Sequence, residues 1–190
     1  MKRTRLVLTQ KTTEEDVAAI AGALGLSLFA FRPDGGHTYE RIFATPDQTS
    51  ALTYVEDRAL GLRYIALTGP ASAAIEDVLR RNVPLITPEL VHPLFQHAQS
   101  REEWITAITH GAAVSNSDFD LAMFAAFEKV LRHPEIDVRK AAVFATSYPG
   151  WKEFQPLLQE LSETDPSPDV RYMAARVIET MQERWSKGGQ

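Results

Sequence analysis

The first part of the chain alternates short apolar runs with turn residues, a pattern typical of β-strands. Five strands are predicted there, at residues 5–9, 26–31, 39–44, 51–55 and 62–67. A cluster of hydroxyl and acidic residues at 12–16 predicts the start of an amphipathic helix between the first two strands. A second helix is predicted at residues 71–81. This order predicts an α+β module over residues 1–83, a mainly antiparallel sheet with two helices on one face.

The later part of the chain has apolar residues at helical spacing. Residues 84–100 contain several prolines among apolar residues, which predicts a packed connector rather than a flexible linker. From residue 101 to residue 190 the pattern predicts an all-α domain. Its five helices are predicted at residues 102–113, 118–132, 137–147, 151–163 and 169–185.

One short phrase occurs twice within the helical part. Asp137-Val138-Arg139 recurs as Asp169-Val170-Arg171, 32 residues later (169 minus 137), with a helical segment between the copies. Pro134 and Pro168 precede the copies, where a proline prevents the previous helix from continuing. Each aspartate is placed to cap the helix that follows it. Such a repeated unit predicts stacked helical hairpins.

These residues resemble HEAT-like repeats, in the short bacterial form found in phycobilin lyases. The resemblance covers roughly residues 101–185, and its period of 32 is shorter than the ~40 residues or more of ordinary HEAT units. It implies a short α-solenoid in which the aspartates and arginines of consecutive repeats form a ladder. The residues that would form this ladder, as structural residues, are Asp137, Arg139, Asp169 and Arg171.

Composition narrows the possible functions. The chain has no cysteine, which excludes disulfides, thiolate catalysis, cysteine-ligated zinc and iron–sulfur clusters. No apolar segment is long enough for a signal peptide or a membrane span, so a cytoplasmic location is predicted. Residues 1–100 carry 10 basic and 11 acidic side chains, and residues 101–190 carry 10 and 14. Neither part concentrates the positive charge that phosphate backbones require, so nucleic acid is not an expected partner.

No catalytic constellation is present in the sequence. The five histidines lack the spacing of a compact metal site, and no nucleophile elbow or phosphate-binding glycine loop occurs. Gly69-Pro70-Ala71-Ser72 begins a helix after a strand, where free amides can bind an anion, but Pro70 removes one donor. An ordinary helix start is therefore favoured there. No catalytic residue, metal or cofactor is predicted.

The predicted binding surface is the concave face of the repeats, which second helices of hairpins line in solenoids. The residues predicted to face a protein partner are Lys129, Arg132, Trp151, Lys152, Gln155, Gln159 and Glu163. Trp151 has two interpretations. An exposed tryptophan between charged residues would anchor a partner, whereas the burial habits of tryptophan favour a ring that fills the turn between stacked helices.

The leading hypothesis is a non-enzymatic protein-binding module: an adaptor, a regulator or a bacterial inhibitor similar to toxin-immunity proteins. The alternative is a HEAT-like enzyme such as a DNA glycosylase or a chromophore lyase. The net charge of −4 over residues 101–190 (10 minus 14) argues against the glycosylase, and no motif beyond the repeats supports the lyase. A third hypothesis is that the α+β module binds a ligand or another sheet along an exposed edge strand. The oligomeric state stays open.

Overall fold

A computed structural model describes residues 4–33, 38–116 and 118–188. It divides the chain into two compact units, Met1–Thr87 and Pro88–Gln190. The first unit contains strands β1 (Thr4–Leu8), β2 (Ser27–Arg32), β3 (Thr38–Ala44), β4 (Ala51–Asp57), β5 (Leu62–Thr68) and β6 (Leu85–Ile86), with helices α1 (Glu14–Ala23) and α2 (Ser72–Asn82). The predicted α+β class is confirmed, and β6 is an additional strand.

The six strands form one sheet in the order β2-β3-β4-β5-β1-β6. Each pair of neighbours is antiparallel. Helix α1 connects β1 to the far edge, and β2 to β5 then return towards β1 as consecutive hairpins. Strand β2 therefore forms one edge of the sheet, and the short β6 forms the other.

The core of this unit follows the two-residue period of its strands, because alternate side chains point to the same face. Residues from the central strands and from both helices form one buried apolar cluster. Its members are Leu6, Leu8, Val17, Ala21, Leu26, Phe43, Leu52, Tyr54, Ile65, Leu67, Ile75, Leu79 and Val83. The two helices thus supply the apolar side chains that cover the strands.

The start of α2 shows why the sequence has a glycine there. Gly69 has a φ of 95°, and a Cβ on it would overlap with Thr49 O and Ser50 Cα. The Ala71 amide donates to Ser50 Oγ at 2.9 Å. This amide is therefore occupied, which supports an ordinary helix start rather than an anion site at Gly69-Pro70-Ala71-Ser72.

The second unit contains six α-helices within the described residues, and a short 3₁₀ turn (Lys152–Phe154) precedes the fifth. They are α3 (Pro88–His97), α4 (Arg101–Val114), α5 (Leu121–Leu131), α6 (Ile136–Thr146), α7 (Gln155–Thr164) and α8 (Pro168–Gly188). No helix in the described part of the chain is long and apolar enough to cross a lipid bilayer.

The segment predicted as a connector, residues 84–100, contains strand β6 and helix α3. Pro88 occupies the first helical position, where a missing N–H has no cost, and Pro93 lies within α3. Helix α5 begins at Leu121, three residues later than predicted, because Asp120 accepts hydrogen bonds from the Ala122 and Met123 amides at 2.9 and 3.0 Å.

The helices pack as three hairpins, α3/α4, α5/α6 and α7/α8. Helix α6 packs between α4 and α8, and α3 packs against α5, so the second helices of the three hairpins, α4, α6 and α8, form one row. Buried positions recur along this row at 104, 108 and 111, at 138, 142 and 145, and at 170, 174 and 177. The offsets are 34 (138 minus 104) and 32 (170 minus 138). The predicted binding surface assumed that residues 118–132 and 151–163 are second helices of hairpins. This assumption is wrong, because α5 and α7 are the first helices of their hairpins.

Candidate protein-binding surfaces on the helical unit

Arg139 joins two successive hairpins. Its Nε and Nη2 donate to the two carboxylate oxygens of Asp165 at 2.8 and 2.9 Å, and its Nη1 donates to the carbonyls of His133 and Pro134 at 2.8 and 2.9 Å. Only 9% of the Arg139 side chain and 2% of the Asp165 side chain are exposed. The guanidinium and the carboxylate are thus buried, paired and hydrogen-bonded, as stable buried charges must be.

The environment keeps both groups ionised. The hydrogen bonds to Asp165 raise the pKa of Arg139 against the opposing effect of burial. Burial raises the pKa of Asp165, but hydrogen bonds from Arg139 and the Ser167 amide, with the charges of Arg139 and Arg171, outweigh it and lower the pKa. The Ser167 amide donates at 2.8 Å. The pair is therefore a fixed structural link rather than a proton-transfer site.

The second copy of the phrase repeats half of this arrangement. Arg171 Nη1 donates to the carbonyls of Asp165 and Pro166 at 2.6 and 3.4 Å. These carbonyls lie six and five residues before the arginine, as His133 and Pro134 do before Arg139. Arg171 forms no ion pair among the described residues.

The implied ladder exists with different partners. Asp137 pairs with Arg101 at 2.7 Å and Asp169 pairs with Lys140 at 3.6 Å. Arg139 pairs with Asp165, four residues before the second copy, and not with Asp169. The sequence could not show this register, because His133 occupies the position in the first copy that Asp165 occupies in the second. The predicted capping role is wrong, because Asp137 and Asp169 lie inside the first turns of α6 and α8. Glu135 occupies the N-cap position of α6, and its side chain makes no capping hydrogen bond.

The interpretation of Trp151 as an exposed anchor is wrong, and the turn-filling interpretation holds. Trp151 is 3% exposed. Its ring stacks on Phe154 with centroids 5.5 Å apart and meets the edge of Phe119 at 5.3 Å. Its Nε1 donates to Asn116 O at 2.8 Å. Since the ring packs against the connection between α4 and α5, it holds neighbouring hairpins together.

Trp185 makes an equivalent hydrogen bond, which sequence reasoning missed. Its Nε1 donates to Gly150 O at 2.9 Å. Trp151 donates to a carbonyl 35 residues earlier (151 minus 116), in the connection after α4. Trp185 also donates to a carbonyl 35 residues earlier (185 minus 150), in the connection after α6. The signal was the spacing of 34 between the two tryptophans, close to the repeat period.

The other residues predicted to face a partner are exposed on α5, α7 and the turn before α7. Gln155, Gln159 and Glu163 form one stripe along α7, and Gln159 donates to Glu163. Arg132 connects α5 to this helix through Glu160, at 3.3 Å. The structure thus brings Arg132 together with α7.

Two predicted residues turn towards the other row of helices. The Lys129 ammonium lies 5.4 Å from the centre of the Trp104 ring, and the Lys152 ammonium lies 5.9 Å from the Trp185 ring. Each lysine therefore covers a tryptophan of α4 or α8. With Trp151 buried, the predicted surface keeps charged and amide groups but no exposed aromatic ring.

A groove between α6 and α8 has the aromatic residue that this surface lacks. It has a volume of about 260 Å³ and is lined by Lys140, Asp169, Tyr172, Met173 and Arg176. Tyr172 is 70% exposed. Exposed Ile136 and Phe144 flank Lys140 along α6, one turn to each side. Lys140 and Tyr172 are the residues that follow the arginine of each phrase, and they differ while the phrase itself is repeated.

A family model of the HEAT repeat matches residues 154–184, which span α7 and most of α8. The match supports a HEAT-like repeat in this segment, which contains Asp165, Arg171 and Tyr172. HEAT repeats suggest a helical protein-interaction module. No curated protein and no solved structure matches the chain significantly. Within the described residues, no group of three or more His, Asp or Glu side chains is arranged to hold a metal ion.

Proposed function

We propose that this protein is a protein-binding module whose helical unit captures a partner protein. The observation that carries the proposal is the α6–α8 groove, in a unit with a HEAT-like repeat. Tyr172 lies at this groove, and 70% of its surface is exposed to solvent. Aromatic residues dominate the binding energy of protein interfaces when they are buried by a partner.

The chemistry of the groove indicates what the partner surface contains. Lys140 and Arg176 line the groove beside Tyr172, where Lys140 pairs with Asp169 and Arg176 pairs with Glu179. Ile136 and Phe144 extend an apolar stripe along α6. A partner segment with apolar residues matches the Tyr172 ring and the apolar stripe, and carboxylates beside those residues would exchange with Asp169 and Glu179 for the two exposed cation pairs. The ring and the apolar stripe would supply affinity, and the exposed cations would supply orientation and association rate.

The surface of Lys129, Arg132, Lys152, Gln155, Gln159 and Glu163 is the competing location for the partner. Its charges are solvent-exposed, and exposed ion pairs contribute only ~0–1 kcal/mol each. It would therefore depend on many small contacts. The two locations lie on different rows of helices, so separate variants distinguish them.

The experiment is affinity capture from a lysate of the source organism with three baits: the wild-type chain, Tyr172→Ala, and the double variant Gln155→Ala/Gln159→Ala. All three side chains are exposed, so the variants should unfold at the same urea concentration as the wild type. A stoichiometric protein that is lost only with Tyr172→Ala supports the groove. Loss only with the double variant moves the site to α7. No stoichiometric protein with any bait contradicts the proposed function.

An adaptor, a regulator and an inhibitor similar to toxin-immunity proteins would all use such a surface. The adjacent gene separates them at little cost. A toxin-like neighbour whose purified product is inhibited by this protein would support the immunity-like role, and a housekeeping operon would argue against it.

A further inference from the structure

Strand β2 is an edge strand with an apolar surface. Leu28, Phe29 and Phe31 are 55%, 57% and 53% exposed. In the described part of the sheet, β3 pairs with one side of β2 and no strand pairs with the other. Edge strands in soluble proteins normally carry charges, proline or bulges against further pairing. Strand β2 has one bulge, between Leu28 and Ala30, and its only charged residue is Arg32, its last residue.

A β-bulge sets the direction of these side chains. The register between β2 and β3 shifts between Leu28 and Ala30, so Leu28 lies opposite Phe43 and Phe31 lies opposite Arg41. Phe43 and Arg41 are two residues apart on one face of β3, and the bulge therefore puts Leu28 and Phe31 on that face together. The Phe31 ring meets the edge of Tyr39, with centroids 5.4 Å apart.

We propose that β2 pairs with β2 of a second copy of this chain, antiparallel and about a two-fold axis between Phe29 and Ala30. The outward N–H and C=O groups of an edge strand specify that its occupant is another strand. In this register Leu28 lies opposite Phe31 of the second copy, twice by symmetry, and Ser27 lies opposite Arg32. Apolar residues thus meet apolar residues, and no like charges face each other.

The exposed area indicates how strong this association is. A phenylalanine presents ~150–250 Å², so the half-exposed rings and Leu28 offer about 300 Å² per copy. Two copies would bury about 600 Å² of side chain together with the edge backbone, below the ~1,200–2,000 Å² of stable interfaces. The expected dimer is reversible and depends on concentration. It is independent of the partner-binding groove, and it would present two helical units to a partner with repeated sites.

Sedimentation velocity of the full chain tests the proposal, over about 1 to 500 µM protein, the range in which a micromolar Kd is visible. The wild type should change from monomer to dimer, and Phe29→Lys should stay monomeric because a lysine at the edge opposes pairing. The matched control is Leu121→Lys, which puts a lysine at an exposed apolar residue of α5 and should dimerise as the wild type does. Circular dichroism checks that the variants are folded.

Cysteine cross-linking tests the identity and the register of the occupant. The chain has no cysteine, so Leu28→Cys and Phe31→Cys introduce the only thiols. In the proposed register, residue 28 of one copy lies opposite residue 31 of the other, with Cβ atoms ~5 Å apart, close to disulfide geometry. Residue 28 of one copy and residue 28 of the other are three positions out of register, which separates them by ~10 Å along the strand. A mixture of the two variants should give the disulfide dimer under mild oxidation, and each variant alone should give little.

Three outcomes would overturn the proposal. The first is a wild-type chain that stays monomeric at about 500 µM. The second is a Phe29→Lys variant that dimerises as the wild type does, which places the interface elsewhere. The third is cross-linking of each single variant as efficient as that of the mixture, which excludes the two-fold register.

Discussion

The two copies of the Asp-Val-Arg phrase have the same residues but different surroundings. Arg139 is buried and reaches forward to Asp165 of the next hairpin, and it also binds two carbonyls behind it. Arg171 is half-buried and binds the corresponding two carbonyls. The comparison teaches that in stacked hairpins the contacts of a residue depend on the neighbouring hairpin as well as on its own helix.

The tryptophans show the same difference. Trp151 follows the first copy and is buried between hairpins, whereas Trp185 follows the second copy and is half-exposed. Both make the same kind of indole hydrogen bond. The inner copy of each feature is therefore expected to matter more for stability than the outer copy.

The largest expected effect is at Trp151. Trp151→Ala should lower the free energy of unfolding of the helical unit by about 3–5 kcal/mol, because it removes a buried ring and leaves a cavity. Trp185→Ala should cost clearly less, because that ring is already partly in water. Urea unfolding followed by far-ultraviolet circular dichroism measures both. Equal losses of unfolding free energy in the two variants would contradict the expected difference between the inner and outer copies.

The arginines should differ next. Arg139→Met leaves the Asp165 carboxylate buried without its main partner, and breaking such a pair costs about 3 kcal/mol. Arg171→Met removes hydrogen bonds to carbonyls at a half-exposed site, which should cost about 1 kcal/mol. The same urea titrations compare the two variants, and a larger loss for Arg171→Met would contradict the structure.

Acid should weaken the inner link selectively. The pKa of Asp165 is lowered in the folded protein, so the unfolded chain, in which an aspartate has a pKa of ~3.9, binds the proton more readily. The stability that this group provides is present above about pH 4 and is lost as pH falls through the folded pKa.

Thermal melts of the wild type and Asp165→Asn between about pH 6 and pH 2.5 test this, since the unfolded pKa of ~3.9 lies in that range and the folded pKa is lower. The difference in Tm between them should be largest near pH 6 and should shrink below pH 4. Asp169→Asn is the control, because its pair with Lys140 is exposed. A constant difference between Asp165→Asn and the wild type across this range would contradict the lowered pKa.

The smallest effect is expected at Arg132, which also joins two hairpins through an ion pair. Arg132 and Glu160 are both more than half exposed, so Arg132→Met should change the free energy of unfolding by no more than about 0.5 kcal/mol. A loss as large as that of Arg139→Met would show that burial does not decide the contribution of these links. Urea unfolding in low and high salt measures the difference.

Much of the fold could be predicted from periodicity. The strands β1 to β5 and the helices after residue 100 have strong apolar patterns. The prediction succeeds there because the apolar positions are the ones that the fold buries. Strand β6 has two residues, too few for a pattern. Residues 84–100 were predicted as a connector in which residues 87–89 could start a short helix, because Pro88 and Pro93 indicate breaks. The helix continues to His97 because Val91 and Phe95 are buried on its packed face.

The correct hairpin pairing could not be found from the phrase. In α4 the buried positions 34 residues before the first copy match those of α6, but Glu103 and Ile105 occupy the places of Asp137 and Arg139 (137 minus 103, 139 minus 105). The first hairpin therefore has the geometry of the repeat without its signature. Burial is set by packing against neighbours, which a single sequence does not show.

The candidate site was predicted less well than the fold. Trp151 and the exposed residues of α7 have similar sequence surroundings. The ring is buried by its contacts with Phe119, Phe154 and Asn116, which a single sequence does not show. Tyr172 was overlooked because it belongs to the repeated phrase, whose residues were assigned a structural role. The residue after the repeated Asp-Val-Arg phrase differs between the copies, Lys140 in the first and Tyr172 in the second. This difference was the better indication that the position lies on the surface.

The placement of the tryptophans has a spectroscopic consequence. All three, Trp104, Trp151 and Trp185, lie in the unit that begins at Pro88, and none lies in the sheet unit. Selective excitation of tryptophan therefore gives an emission signal from the helical unit alone, while circular dichroism records both units. The native chain thus carries its own fluorescent probe for asking whether its two units unfold together or one after the other.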